Sequence, residues 1–152
     1  MSQALHSLLE HAEAQRDEAI AALVQAEESN RRLRQQWDQL HSYHADYAAL
    51  APTLGGQATS IDRLRGHHAF MQRMEQALAQ QQGLLATSDA QVTQRRQLLL
   101  EREIRVASVR KLQERRLFEE QRSTLRREQT RSDEAATQRS WRESARARSA
   151  TH

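Results

Sequence analysis

Ala51-Pro52-Thr53-Leu54-Gly55-Gly56-Gln57-Ala58-Thr59-Ser60 is the stretch that decides the fold. It holds the only proline and two of the four glycines in 152 residues. Proline denies the helix a donor and clashes with the preceding turn, so a helix arriving from the N-terminal side stops here. Ser60, with Asp62 following, is a fair N-cap for a new helix. On either side the chain is rich in Gln, Arg, Glu, Ala and Leu and nearly free of breakers, which favours long helices.

Upstream of the break, Leu5, Leu9, Ala12, Arg16, Ala19, Leu23, Ala26, Asn30, Leu33, Trp37, Leu40, His44 and Tyr47 alternate by four and three residues. Ten of these thirteen are apolar. A 3.5-residue period held this long is a coiled-coil seam. Downstream, Leu64, Met71, Leu78, Leu85, Val92, Leu99 and Val106 form an apolar column at seven-residue spacing. The companion column is weaker: His67, Met74, Gln81, Ser88, Arg95, Arg102 and Val109.

Two seams around one break predict an antiparallel hairpin. A turn centred near residue 55 makes facing residue numbers sum to about 111. Leu5 then faces Val106, Ala12 Leu99, Ala19 Val92, Ala26 Leu85, Leu33 Leu78, Leu40 Met71 and Tyr47 Leu64, all apolar on both sides. Small Ala against a larger residue fills a close pair. In the second column Asn30 meets Gln81, Trp37 Met74, His44 His67, Leu23 Ser88 and Leu9 Arg102. The amides of Asn30 and Gln81 would pin the register. Arg16 against Arg95 is the discordant layer, tolerable because long stems cover the seam while their heads reach water.

The expected fold class is all-α: two long helices in an antiparallel coiled-coil hairpin, the second overhanging, with a partly disordered C-terminal tail. Helix one covers about 3–51, the loop 52–60, helix two about 60–135, and a basic flexible tail about 136–152. The whole chain counts as one hairpin. A helix of about 48 residues spans ~72 Å, so the expected shape is a rod with a thin core that frays near the termini. The alternative, a homodimer of long helices, lacks the agreement between loop position and column register. Residues from about 110 lie beyond the paired region, with twelve basic residues and seven acids.

Composition excludes much else. Aromatics are 4% of the chain and cysteine is absent, so there is no disulfide framework and no thiolate metal site. No run approaches the apolar length of a transmembrane helix, and the N-terminus lacks the basic start and apolar run of a signal peptide. The expected location is cytoplasmic. Residues 1–76 carry seven Arg against ten acids and residues 77–152 sixteen basic residues against ten acids, so the basic excess lies in the second half.

No catalytic constellation emerges. Gly55-Gly56 lacks the strand and Lys-Ser/Thr context of a phosphate loop. Glu27-Glu28 and Glu119-Glu120 read as solvated faces. His41, His44, His67 and His68 gather near the closed end, but they divide between seam and surface and read as a polar patch rather than a zinc site. Enzyme, metal and cofactor are not expected, nor is a small-molecule substrate.

Tyr43 and Phe70 lie beside the seam, not in it. Gln36, Leu40, Tyr43 and Tyr47 recur by four, three and four, and so do Phe70, Met74, Ala77 and Gln81. These two rows would lie side by side on one flank of the hairpin. Exposed apolar patches mark docking sites, and aromatics are frequent anchors; the plain alternative is that the rows thicken packing near the loop.

With these residues in view, the chain resembles the flagellar type III export protein FliJ family. The resemblance is densest over Trp37 to Gln81. There a Leu-x-x-Tyr-x-x-x-Tyr element reads Leu40-His41-Ser42-Tyr43-His44-Ala45-Asp46-Tyr47, and the segment past the loop reads Phe70-Met71-Gln72-Arg73-Met74-Glu75-Gln76-Ala77-Leu78. Length, loop position and basic C-terminal tail agree. The resemblance implies a cytosolic coiled coil similar to the central stalk of rotary ATPases. It implies insertion into the ring of the export ATPase FliI, which works with its regulator FliH, contact with the export gate protein FlhA, and handling of export chaperones. It also implies placement at the cytoplasmic face of the inner membrane. By position, the family's gate-contacting residues fall on Gln36, Leu40, Tyr43, Tyr47, Phe70, Met74, Ala77 and Gln81. Met74 and Gln81 stand where the family can carry Leu and His; Met keeps the apolar contact, Gln does not keep the imidazole.

Two other readings stand beside this one. The Arg-rich overhang suggests a nucleic-acid-associated coiled coil, disfavoured because acids are interleaved and only Phe118 and Trp141 could stack on bases. A homodimeric scaffold with no ATPase partner is the third.

Overall fold

The computed structural model describes residues 2–50 and 61–151. The expected loop, with Pro52, Gly55, Gly56 and the Ser60 cap, lies outside the described residues. The described residues form two α-helices: α1, Ser2–Ala49, and α2, Ile61–Ala150. Asp62 in the first turn of α2 and Arg148 in its last are placed to complement the helix dipole.

The chain divides into two compact units, one being His11–Arg105 and the other combining Met1–Glu10 with Val106–His152. In His11–Arg105, α1 and α2 run antiparallel, and the seam of α1 is the expected one. Ala12 and Ala19 are buried, and Arg16, Leu23, Ala26, Asn30, Leu33, Trp37, Leu40 and His44 are half-buried. Tyr47, the last expected layer, is exposed. On α2, Met74, Ser88 and Val92 are buried, and His67, Met71, Leu78, Gln81, Leu85, Leu99 and Arg102 are half-buried. Leu64 and Arg95, counted in the columns, are exposed.

The register differs from the expected one by a heptad. The Asn30 amide donates to Ser88 Oγ at 3.1 Å and to Asp89 Oδ1 at 2.7 Å, not to Gln81. The Gln81 amide instead donates to Gln36 Oε1 at 3.1 Å. Arg102 donates to Gln15 Oε1 at 3.1 Å rather than facing Leu9. His44 lies 3.4 Å from Glu75 rather than against His67, and Tyr47 packs on Phe70 rather than Leu64. Facing numbers therefore sum to about 118. The error has a simple origin. An unbroken heptad column reads the same after a shift of seven, and the expected register also assumed a symmetric turn. In the observed register Leu64 has its partner position beyond Ala49, where α1 has ended, which accounts for its exposure.

Polar side chains choose between these look-alike registers. Besides the Asn30 contacts, Arg34 lies 3.3 Å from Asp89 and Arg96 lies 3.5 Å from Glu27. Arg16 turns along its own helix to Asp17, at 3.1 Å, and so does not confront a second arginine unpaired.

In the other unit, Leu5, Val106 and Val109 are buried, and Leu9 and Gln113 are half-buried. Every described residue beyond Gln113 is exposed except the half-buried Ala135. Within this unit the run of covered positions ends at Gln113, a little later than residue 110. Helix α2 also outruns its expected end near 135 and continues through Ala150. The Ser and Thr residues of this stretch do not interrupt it. The hydroxyls of Thr124, Thr130, Thr137 and Ser149 each donate to the carbonyl four residues back, at 2.8–3.0 Å. This back-bonding keeps the hydroxyls from competing for the local backbone, and Ala, Arg, Glu and Gln between them favour helix.

Candidate functional site

The two rows singled out by spacing do meet. Gln36 touches Gln81 at one end, and at the other the rings of Tyr47 and Phe70 pack edge to face with centroids 4.9 Å apart. Between these two contacts lie Leu40 and Tyr43 on α1 and Met74 and Ala77 on α2. The eight residues thus form one two-stranded ribbon of side chains on a single flank.

They are not equally presented. Tyr43 is 53% exposed, Tyr47 40% and Phe70 36%. Gln36 is exposed, while Leu40, Ala77 and Gln81 are half-buried. Met74 is buried, 8% exposed, because it is also a seam residue. It belongs to the seam rather than offering a surface of its own. The flank therefore presents three partly exposed aromatic rings bordered by two amides, an apolar anchor with a polar rim and no ionised group among its eight residues.

Along α1, Trp37 packs against His41 with ring centroids 4.8 Å apart. Trp37 Nε1 is buried with no hydrogen-bond partner among the described residues. His41 and His68 are exposed, and His44 and His67 are half-buried. Among the described residues, no three His, Asp or Glu side chains come together as a metal-binding group. Open grooves run along helix faces, one lined by Arg32, Gln36, Gln39 and Ser42, another by Leu117, Gln121 and Leu125.

A second apolar set escaped the sequence reading. Ile20 and Val24 lie on α1 two turns and one turn before Glu27, and Leu100 and Ile104 lie one and two turns past Arg96 on α2. All four are 41–58% exposed. The signal was available: these large aliphatics sit outside both seam columns.

The described residues form a helical hairpin with a thin apolar seam and one flank of partly exposed aromatic rings. The family model described as flagellar FliJ protein matches residues 1–145, and the chain belongs to that family, a component of flagellar protein export. No curated protein and no solved structure matches the chain significantly. None of the described helices is long and apolar enough to cross a membrane.

Proposed function

We propose that this chain is a non-enzymatic coupling component of flagellar protein export. It inserts into the ring of the export ATPase FliI, working with FliH, and links that ring to the export gate protein FlhA. The Arg-rich helical segments near the termini face the ring. The flank of Gln36, Leu40, Tyr43, Tyr47, Phe70, Met74, Ala77 and Gln81 docks on the gate. Export chaperones of late substrates are further partners, and the working location is the cytoplasmic face of the inner membrane.

The observation that carries the gate assignment is the contact of Tyr47 with Phe70, which joins rows from two helices into one surface. Aromatic side chains at the centre of a patch supply most of the binding energy of an interface. Family membership over residues 1–145 supports the export setting.

The test is the pair Tyr43→Ala with Phe70→Ala. Both side chains are partly exposed, so helical circular dichroism and ring binding stay as they were. Gate binding weakens at least tenfold, because two aromatic anchors are lost. Unchanged gate affinity in the folded double variant removes this flank from the interface.

A further inference from the structure

The seam of His11–Arg105 is compatible with two registers, and the structure occupies one of them. In the observed register Ala19, Ala26, Leu33 and Leu40 face Leu99, Val92, Leu85 and Leu78. A slide of one heptad would set the same four residues against Val92, Leu85, Leu78 and Met71, again apolar throughout. The apolar column therefore discriminates little between the two. Chain length also permits the slide. It moves the helices about 10 Å past one another. The residues between Leu50 and Ile61 reach roughly 30 Å when extended. In the observed register the first turns of α2 lie beyond the end of α1, and Ile61 and Leu64 are 68% and 42% exposed. The slide gives Leu64 a partner in Tyr47.

The discrimination comes from charge and amide contacts on the opposite flank. As observed, Arg96 lies beside Glu27 and Asp89 beside Arg34, and Asn30 donates to Asp89. After the slide Asp89 moves to Glu27, like against like, and Arg34 faces Gln82. Their side chains are 40–65% exposed, and exposed pairs of this kind shift an equilibrium only a few-fold each.

We propose that this hairpin is a two-position slide, with Glu27, Arg34, Asp89 and Arg96 as the ionic latch that holds the observed register. Occupying the second register separates Tyr47 from Phe70 and Gln36 from Gln81, and so takes apart the aromatic flank. A partner that engages the latch residues at one place thereby changes a surface formed elsewhere along the same two helices. The slide itself does not depend on what that flank binds.

The chain contains no cysteine, so engineered pairs report without background. Ala26→Cys with Val92→Cys captures the observed register, and Ala26→Cys with Leu85→Cys captures the second. In a glutathione buffer both disulfides form, and the fraction cross-linked is roughly threefold to tenfold larger for the first pair. Adding Asp89→Arg, which repels Arg34 in the observed register and attracts Glu27 in the other, reverses that ratio. Asp89→Asn moves it the same way by less. If the 26–85 disulfide fails to form in any of these backgrounds while helical circular dichroism shows the hairpin folded, the second register does not exist. Locking the 26–85 pair then separates the two readings: loss of gate binding joins slide to flank, and intact binding with a formed disulfide leaves the slide standing and removes the flank from the gate.

Discussion

The side chain of Asn30 gives up a hydrophobic position in the seam for two hydrogen bonds across it, to Ser88 and Asp89. Such a residue fixes register at a cost in stability. Asn30→Leu with Ser88→Ala is therefore expected to raise stability by about 1–2 kcal/mol, since it adds buried apolar area to the seam. The measurement is the urea midpoint at constant slope; a lowered midpoint contradicts this view of the layer. Trp37 makes a second case. Its Nε1 is buried without a partner, and an unsatisfied donor costs about 1–3 kcal/mol. Trp37→Phe loses ring contact but removes that donor, so the two effects offset to within about 1 kcal/mol. A loss of several kcal/mol would mean that the indole nitrogen is bonded in solution.

Which residues form the seam was legible at this scale, because burial follows the period directly. Which residue faces which was not. A column of Leu, Val and Ala repeats every seven residues, so the choice rests on a few polar pairs. Without the structure, Asn30 with Gln81 and Asn30 with Ser88 are equally plausible amide and hydroxyl layers. The pairing of Glu27 with Arg96 and Arg34 with Asp89, one heptad apart on each helix, held the answer.

The helices differ in what supports them. Within His11–Arg105 the two helices share a seam, and in the other unit Leu5, Val106 and Val109 are buried. Among the described residues, α2 beyond Gln113 is exposed apart from Ala135 and rests on local terms, helix propensity and the end charge of Arg148. Helices without tertiary packing open readily. Amides beyond residue 120 are expected to exchange with deuterium orders of magnitude faster than those near Val92. Truncation after Gln113 should leave the thermal midpoint of the remaining hairpin nearly unchanged. A large drop would show packing on that segment. The helix runs past residue 135 to Ala150, and the hydroxyls of Thr124, Thr130, Thr137 and Ser149 each bond a carbonyl four residues back, a pattern that residue composition does not reveal.

Two glycines inside α2 mark local weakness. A Cβ built on Gly66 or Gly83 meets nothing within 4 Å. Glycine in a helix interior costs roughly 0.5–1 kcal/mol relative to alanine. Gly83→Ala should stabilise the hairpin by about that amount. A destabilised variant would point to close approach by a partner or a second copy.

For the molecule as a whole, the aromatic flank was legible because its residues fall outside the seam yet keep helical spacing. A large ring with no place in the core calls for another reason to be there. The aliphatic set of Ile20, Val24, Leu100 and Ile104 follows the same logic but has no aromatic residue to draw the eye. The export setting came from short motifs between Trp37 and Gln81, and the family match extends it to residues 1–145. The basic excess of the second half is where the proposed role is most exposed to test. Steady-state ATP hydrolysis by the partner export ATPase, measured with and without this protein while particle size is followed, tests the coupling claim most directly. Stimulated hydrolysis together with ring-sized particles is the expected result. Hydrolysis unchanged by this protein, under conditions where the ring assembles, would contradict it.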